Sequence, residues 1–448
     1  MERYEKYKDS GIEWVGEIPE SWDVKKIKHR CYVKGRVGWK GLKSSEFLTD
    51  GFSYLVTGTD FKNDTVDWDN CYHIDEERYN EDPYIQLQNE DLLITKDGTI
   101  GKLAVVTNLD KPACLNSGIF VVRSTKDDFS TRFLLWVLKS STFTDFNGLT
   151  AYGSTIQHLY QNVFVEFAFA FPPVKTQISI ANYLQKKTTE IDHIITNKQK
   201  LIALYEEEKQ AIINQAVTKG LDPNVRLKDS GVEWLGEIPE HWEVKRFNFI
   251  FSFSRGLPIT KENLKDEGIP CISYGEIHSK FCFEVNPEND YLKCVDNDYL
   301  ITSEKSLLKR GDFVFADTSE DIPGSGNFTY LNSDTPVFAG YHTIIAVPEV
   351  EFTTRFVAYF FDSTQYRNQI RSSVTGTKVY SITQSILKNT NVILPPIQEQ
   401  KLIVEYIDKE FSRLDSIISK FNKQIDLLQE YRTTLISEVV TGKIKVIA

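Results

Sequence analysis

Two stretches of the chain place apolar residues at alternating steps of three and four positions, the spacing of a heptad seam. The first runs Ile191, Ile195, Lys198, Ile202, Tyr205, Lys209, Ile212 and Ala216. The second runs Leu414, Ile418, Phe421, Ile425, Leu428, Arg432, Leu435 and Val439, in identical register. Each carries a basic residue at the same step, Lys209 and Arg432. Pro172-Pro173 and Pro395-Pro396 stand ahead of them. Residues before proline avoid the α region, so an extended segment hands over to each helix there. Gly220 and Gly442 occupy the positions where C-caps belong. The spacing predicts two helices of about 40 residues, or about 60 Å at 1.5 Å per residue. A solitary helix with one apolar seam has nothing to bury it. Two equal seams are therefore expected to pair, and the long intervening region lets the second return antiparallel to the first. The alternative is that each helix packs on its own domain.

Outside the seams the period shortens. DLLITKDGTIGKLAVV reads as two strands about a turn at Asp97-Gly98. SGIFVVRS, RGDFVFAD and YHTIIAVP are further strand candidates. RFLLWVLKSSTFTDF and RFVAYFFDSTQYRNQI each predict a short helix, at matching places in the two halves.

The matching goes further. KDSGIEWVGEIPESW, starting at Lys8, returns as KDSGVEWLGEIPEHW, starting at Lys228, and FPPVKTQISIANYLQ from Phe171 aligns with LPPIQEQKLIVEYID from Leu394. Gln177 matches Gln400 and Tyr183 matches Tyr406. The chain is a duplicated unit of frame, variable region and helix. The expected fold is α+β: two similar domains joined by two long helices forming an antiparallel coiled coil, with an internal pseudo-twofold repeat. The expected segments are residues 1–173, 174–220, 221–396 and 397–442, with each domain of about 170 residues closing on its own core. Trp14, Trp22, Trp234 and Trp242 repeat with the frame and are expected to be packing anchors.

Composition narrows the class. With 448 residues, 41% hydrophobic and 26% charged, the chain is of ordinary globular make-up. No apolar run approaches the roughly 20 residues of a membrane helix, and the charged opening MERYEKYKDS is no secretory signal. Six cysteines without a CxxC pair suit reduced thiols in the cytoplasm. The net charge of −11 argues at first against a nucleic-acid partner. Its distribution argues the other way: residues 24–45 and 363–398 contain no acid, and hold eight and four Lys or Arg respectively. Basic windows of this kind can bind phosphate.

Catalytic patterns are missing. Asp82-Pro83-Tyr84 lacks the second proline of an amino-methyltransferase tetrapeptide, and no glycine-rich cofactor turn precedes it. Glu207-Glu208-Lys209 falls on a helix. Cys271, His278, Cys282 and Cys294 fit no compact zinc pattern. His193 lies on a helix flank, and His73 and His342 have no obvious nucleophile beside them. The expectation is a non-catalytic protein with no metal.

Two basic domains fixed apart by paired helices suit a duplex, whose readable patches repeat every 34–36 Å or so. Here the chain resembles the specificity subunits of type I restriction–modification enzymes. The resemblance rests on the GEIPxxW frames (Gly16 to Trp22, Gly236 to Trp242), the Gly153-Ser154 and Gly376-Thr377 turns, and the PP-[VI]-x-x-Q starts at Pro172 and Pro395. It implies two target-recognition domains that bind a bipartite, asymmetric double-stranded DNA site. It also implies two docked DNA-methyltransferase subunits, with restriction subunits joining through those. S-adenosylmethionine, Mg and ATP would be bound only by these partners.

Candidate DNA contacts in the first domain are Lys34, Arg36, Trp39, Lys40 and Lys43, then Lys96, Thr99 and Lys102 about the turn, and Tyr152, Ser154 and Gln157. In the second they are Arg255, Lys261, Lys305, Ser325, Asn327, Arg371, Thr377, Lys378 and Tyr380. Arg, Asn and Gln can read base edges; Lys, Ser and Thr more often hold phosphate. Tyr183, Leu184, Leu201, Leu204, Tyr406, Ile407 and Leu427 are apolar positions off the main seam, expected to face partner helices. The alternative function is a tandem-domain scaffold for protein or RNA that uses its helices as a spacer.

Overall fold

The computed structural model describes residues 2–36, 41–150, 158–376 and 378–446. The chain forms two compact units, Met1–Gln199 with Asn422–Ala448, and Lys200–Phe421. Both long helices are therefore shared between units.

In unit 1 the strands include β1 (Asp23–Lys26), β2 (Cys31–Gly35), β3 (Leu92–Thr95), β4 (Leu103–Val105), β5 (Ile119–Ser124) and β6 (Ala168–Phe171). The main sheet runs β2-β5-β3-β4 and continues into two short strands, Thr65–Val66 and Phe61–Lys62. The β3 run is buried throughout, with Leu92, Leu93 and Ile94 apolar, because both its faces are covered. Leu92 and Ile94 enter the core against the helices, while Leu93 enters a second core on the opposite face. The predicted single helix is broken in two, α1 (Thr131–Leu138) and α2 (Ser141–Thr150). Ser140 Oγ, buried between them, donates to Val137 O at 2.6 Å. Such a hydroxyl gives the backbone an alternative to the next helical turn.

Unit 2 repeats the plan with β7 (Glu243–Arg246), β8 (Phe251–Arg255), β9 (Phe313–Ala316), β10 (Phe328–Leu331), β11 (Thr343–Pro348) and β12 (Asn391–Leu394). Its main sheet runs β8-β11-β9-β10 and ends on Glu284–Val285. Phe313 and Phe315 point into one core, Val314 and Ala316 into the other. The helical segment again breaks, at Ser363, into Thr354–Asp362 and Thr364–Arg371.

The long helices are α3 (Val174–Lys219, 46 residues) and Ile397–Val440 (44 residues), the latter here α4. Each starts just after its Pro-Pro pair. The matched glutamines lock that start. Gln177 is buried, donates to Pro172 O at 2.8 Å and accepts from Ser130 N at 2.9 Å. Gln400 donates to Pro395 O at 2.8 Å and accepts from Thr353 N at 2.7 Å.

Within each unit the helix segments run antiparallel. In unit 1 Lys198 Nζ donates to Gln424 Oε1 at 2.6 Å and Arg432 Nε lies 3.0 Å from Asp192. Rising numbers on α3 thus meet falling numbers on α4. In unit 2 Arg413 lies 3.2 Å from Glu208, Lys209 pairs with Asp415, and the Tyr205 and Phe421 rings are 6.1 Å apart. The two basic seam residues therefore make the same interhelical pair in each unit, a device that sets register more than stability. Along the seam Ile191, Leu414, Ile418, Ile425 and Leu435 are buried, while Ile195, Ile202, Tyr205, Ile212, Phe421 and Leu428 are half-buried.

The repeated frame closes these helix ends. Gly442 (φ +76°) ends α4, and a Cβ there would lie 2.5 Å from Pro19 and 3.0 Å from the Trp22 ring. Gly220 (φ +74°) ends α3, 3.2 Å on the same basis from Trp242. Trp22 and Trp242 are fully buried at these junctions. The two ends of the chain meet in unit 1, where Lys445 N donates to Glu2 O at 2.9 Å and Tyr7 Oη donates to Gly442 O at 3.0 Å. The other pair of tryptophans has diverged. Trp14 is half-buried and donates to Ala168 O at 2.8 Å. Trp234 is exposed, and the equivalent carbonyl, Asn391 O, accepts from Gln369 Nε2 at 3.1 Å.

Candidate nucleic-acid interface

The register of the two main sheets brings the candidate loops to one place. In unit 1 Gly35 pairs with Phe120, Ile119 with Thr95, and Leu103 with Ile94. The C-terminal ends of β2 and β3 and the N-terminal ends of β5 and β4 therefore share one sheet end. Lys34 lies there on β2, exposed, and Lys96, Thr99 and Lys102 lie on the loop between β3 and β4. Thr99 and Lys102 are exposed, while Lys96 is half-buried with its ammonium 5.3 Å from the Phe120 ring centre. Leu159 N donates to Lys96 O at 3.0 Å, and His158 pairs with Asp97. Trp39, Lys40, Tyr152, Ser154, Gln157 and Thr377 lie outside the described residues.

Unit 2 does the same. Arg255 pairs with Ile344 and Ala316 with Thr343, so the ends of β8 and β9 and the start of β11 coincide. Exposed Arg255 ends β8. Exposed Lys305 is tied alongside it, because Ser254 Oγ donates to Lys305 O and Ser306 Oγ donates to Arg255 O, both at 2.9 Å. Just beyond β9, Thr318 and Ser319 pair with Ser381 and Tyr380, which brings exposed Lys378 and half-buried Tyr380 to the same end. Arg371 joins them, donating to Pro323 O at 2.5 Å. Burial and the neighbouring Arg367 both pull its guanidinium below the ordinary range. Lys43 and Lys261 are exposed at equivalent single-turn helices, Ser44–Glu46 and Lys261–Asn263.

Several expected contacts are corrected by burial. Arg36 is only 2% exposed; its Nε donates to Leu115 O at 2.9 Å and its Nη2 to Cys114 Sγ at 3.4 Å. It braces two strands from inside and offers nothing to a phosphate. Ser325 is fully buried and closes its own loop through Asp321 O. Asn327 is half-buried, with its carbonyl accepting from Arg367 at 2.8 Å and its amide 2.9 Å from His278 Nδ1. It shapes the 317–327 loop instead of reading a base. Among the expected docking positions, Leu184 and Ile407 are fully buried in the unit cores and cannot face a partner. Tyr183 is half-buried, and Leu201, Leu204, Tyr406 and Leu427 are exposed. The sequence reading passed over Ile178, Ile194, Leu402 and Tyr431, also exposed on these helices. His158 was not singled out, and His342 was weighed only for catalysis; each is held by an aspartate at a sheet end.

The family model for the type I restriction modification DNA specificity domain matches residues 19–204 and 239–427. The chain belongs to this family. The type I specificity subunits are non-catalytic; catalysis lies in partner subunits. The chain is 22% identical to the MjaVIII specificity subunit of Methanocaldococcus jannaschii, over 96% of this chain and 94% of that protein. It is 25% identical to the EcoKI specificity subunit of Escherichia coli K12 over 213 residues, 47% of this chain and 44% of that one. Among solved structures, a chain described in work on assembly and conformational transition of the type I R-M system aligns with TM-score 0.73. That alignment has 13% identity and covers 95% of this chain and 99% of the other. The HsdS subunit from Thermoanaerobacter tengcongensis aligns with TM-score 0.57 and 12% identity over 95% and 98%. These two likenesses carry the fold. The two matched stretches of this specificity subunit correspond to the duplicated halves, and no described helix is long and apolar enough to cross a membrane.

Proposed function

We propose that this specificity subunit reads a bipartite, asymmetric duplex site, one half-site per unit, through the loops at the two sheet ends. The observation that carries this is the convergence of Lys34, Lys96, Thr99 and Lys102 in unit 1, and of Arg255, Lys305, Lys378 and Tyr380 in unit 2, on equivalent sheet ends. Exposed lysines and arginines there neutralise phosphates, and the divergent loops between them meet base edges. The frames and helix starts are near copies while the loops are not, so the half-sites differ in sequence.

The exposed apolar positions Leu201, Leu204, Tyr406 and Leu427 serve as docking surface for two DNA-methyltransferase subunits, through which restriction subunits join in the cytoplasm. S-adenosylmethionine, Mg and ATP belong to those partners. The net acidity of the chain fits a division of labour in which the methyltransferases supply much of the non-specific DNA affinity.

Two double variants test this in the complex with the cognate methyltransferase. K34A/K102A removes phosphate protection at the first half-site in footprinting, and R255A/K305A removes it at the second. Preferential crosslinking to RNA, or indifference to duplex sequence, would favour the scaffold reading instead.

A further inference from the structure

His342 departs from the ordinary in both backbone and side chain. Its φ is +58°, a left-handed conformation that L residues rarely adopt. The register shows what it replaces. Thr343 pairs with Ala316 as Ile119 pairs with Thr95, so His342 stands where unit 1 has Gly118, with φ +90°. Unit 2 thus carries an imidazole where its sister carries a residue suited to the turn. Strained residues of this kind persist where the surroundings over-determine them, and they cluster at functional sites.

The surroundings here are specific. Asp317 N donates to His342 O at 3.0 Å, and Gly256 N donates to Thr343 O at 3.2 Å, which pins the turn between the ends of β9 and β8. The ring lies against Tyr274 and Tyr341, with centroids 5.3 and 6.0 Å away. Nδ1 is 3.1 Å from Asp317 Oδ1, which also accepts from Thr318 Oγ1 at 2.8 Å. An ionised carboxylate only accepts, so Nδ1 carries the hydrogen, and in the neutral ring Nε2 keeps its lone pair. The side chain is 58% exposed, and Nε2 has no partner among the described residues.

The geometry points to His342 as a specificity-determining residue of unit 2. Asp317 fixes its tautomer, and Nε2 accepts a hydrogen bond from an exocyclic amino group in the major groove, adenine N6 or cytosine N4. This rests on the duplex-reading function proposed above and deepens it. Unit 1 builds a related pair from a different place, Asp97 with His158, so an aspartate-oriented imidazole is common to the two sheet ends.

H342G removes the ring and leaves a residue that accepts the turn, so the chain folds with an unchanged or higher Tm. Bound to its cognate methyltransferase, H342G is compared with the wild-type complex on a library of duplexes randomised across the site. The expected result is loss of preference at one A·T or C·G pair of one half-site, roughly three- to tenfold for one hydrogen bond, with the other half-site unchanged. If the base is adenine, an analogue lacking the 6-amino group weakens the wild-type complex by the same factor and leaves H342G unaffected. If it is cytosine, only the C·G position degenerates. An unchanged preference at every position in H342G overturns the proposal. A wild-type complex with no duplex preference at all would instead remove the reading on which it rests.

Discussion

Three glycines with nearly the same backbone angle allow the role of the repeated frame to be measured. Gly16, Gly220 and Gly442 have φ of +69°, +74° and +76°. An alanine at each pays the same left-handed penalty of about 1–2 kcal/mol. They differ in space. A Cβ on Gly16 meets nothing within 4 Å, and one on Gly220 comes 3.2 Å from the edge of Trp242, which a small ring shift relieves. A Cβ on Gly442 lies 2.5 and 2.6 Å from two Pro19 ring atoms and 3.0 Å from Trp22. Pro19 cannot retreat, because its strand pairs with Tyr7–Asp9 and Trp22 behind it is fully buried. Overpacking of that kind adds about 1–3 kcal/mol. G442A is therefore expected to cost about 2–5 kcal/mol, G16A about 1–2, and G220A between them. For units of this size each kcal/mol lowers Tm by about 2–4 °C. Scanning calorimetry of the full chain gives the ranking, and amide exchange places the G442A damage in unit 1. A G442A protein as stable as G16A would refute the idea that the frame seats the helix end.

Other outcomes follow from the same geometry. R255A and K305A should each lower the salt dependence of duplex binding by about one ion, with little change in sequence preference; an altered recognition motif would instead make them base readers. Leu414→Ala, at a fully buried seam position, should cost about 2–5 kcal/mol on chemical denaturation, against little for the exposed Leu427→Ala. Glu166 is held down to about 2 by Lys28 and Lys26. A carboxylate lowered in the folded state stabilises above its unfolded value near 4.5 and loses this as pH falls toward 2. Glu166→Gln should therefore flatten that part of the acid-unfolding curve of unit 1, and an unchanged curve would exclude the pairing. Inserting one heptad at matching positions of α3 and α4 adds about 10 Å of helix, so the gap between half-sites should grow by about three base pairs; an unchanged gap removes the spacer role.

The long-range plan was legible because it was written twice. Seam spacing predicted both helices, their caps at Gly220 and Gly442, and their pairing, since a 3–4 period with a matching partner has few other solutions. The paired strands about Asp97-Gly98 were legible for the same local reason. Burial of individual polar residues was not. Arg36 sits in a basic window like its neighbours, yet it turns inward to Leu115 O and Cys114. Asn327 and Ser325 occupy a loop suited to DNA, yet Arg367, forty residues on, claims the Asn327 carbonyl, and Ser325 is buried with its hydroxyl turned back onto Asp321 O of its own loop. Leu184 and Ile407 fall off the heptad seam but face the domain cores, a second packing surface that period alone does not reveal. His342 carries no motif, and its left-handed backbone becomes visible only in register with Gly118.

The most direct measurement is single-molecule methylome sequencing of cells that express this subunit with its cognate methyltransferase. Adenine methylation is expected at one asymmetric motif of two short blocks separated by a fixed run of unspecified bases. Replacing residues 24–171 with those of another family member should rewrite one block and leave the other and the gap intact. A single undivided motif, or a replacement that alters both blocks together, would contradict the proposed function.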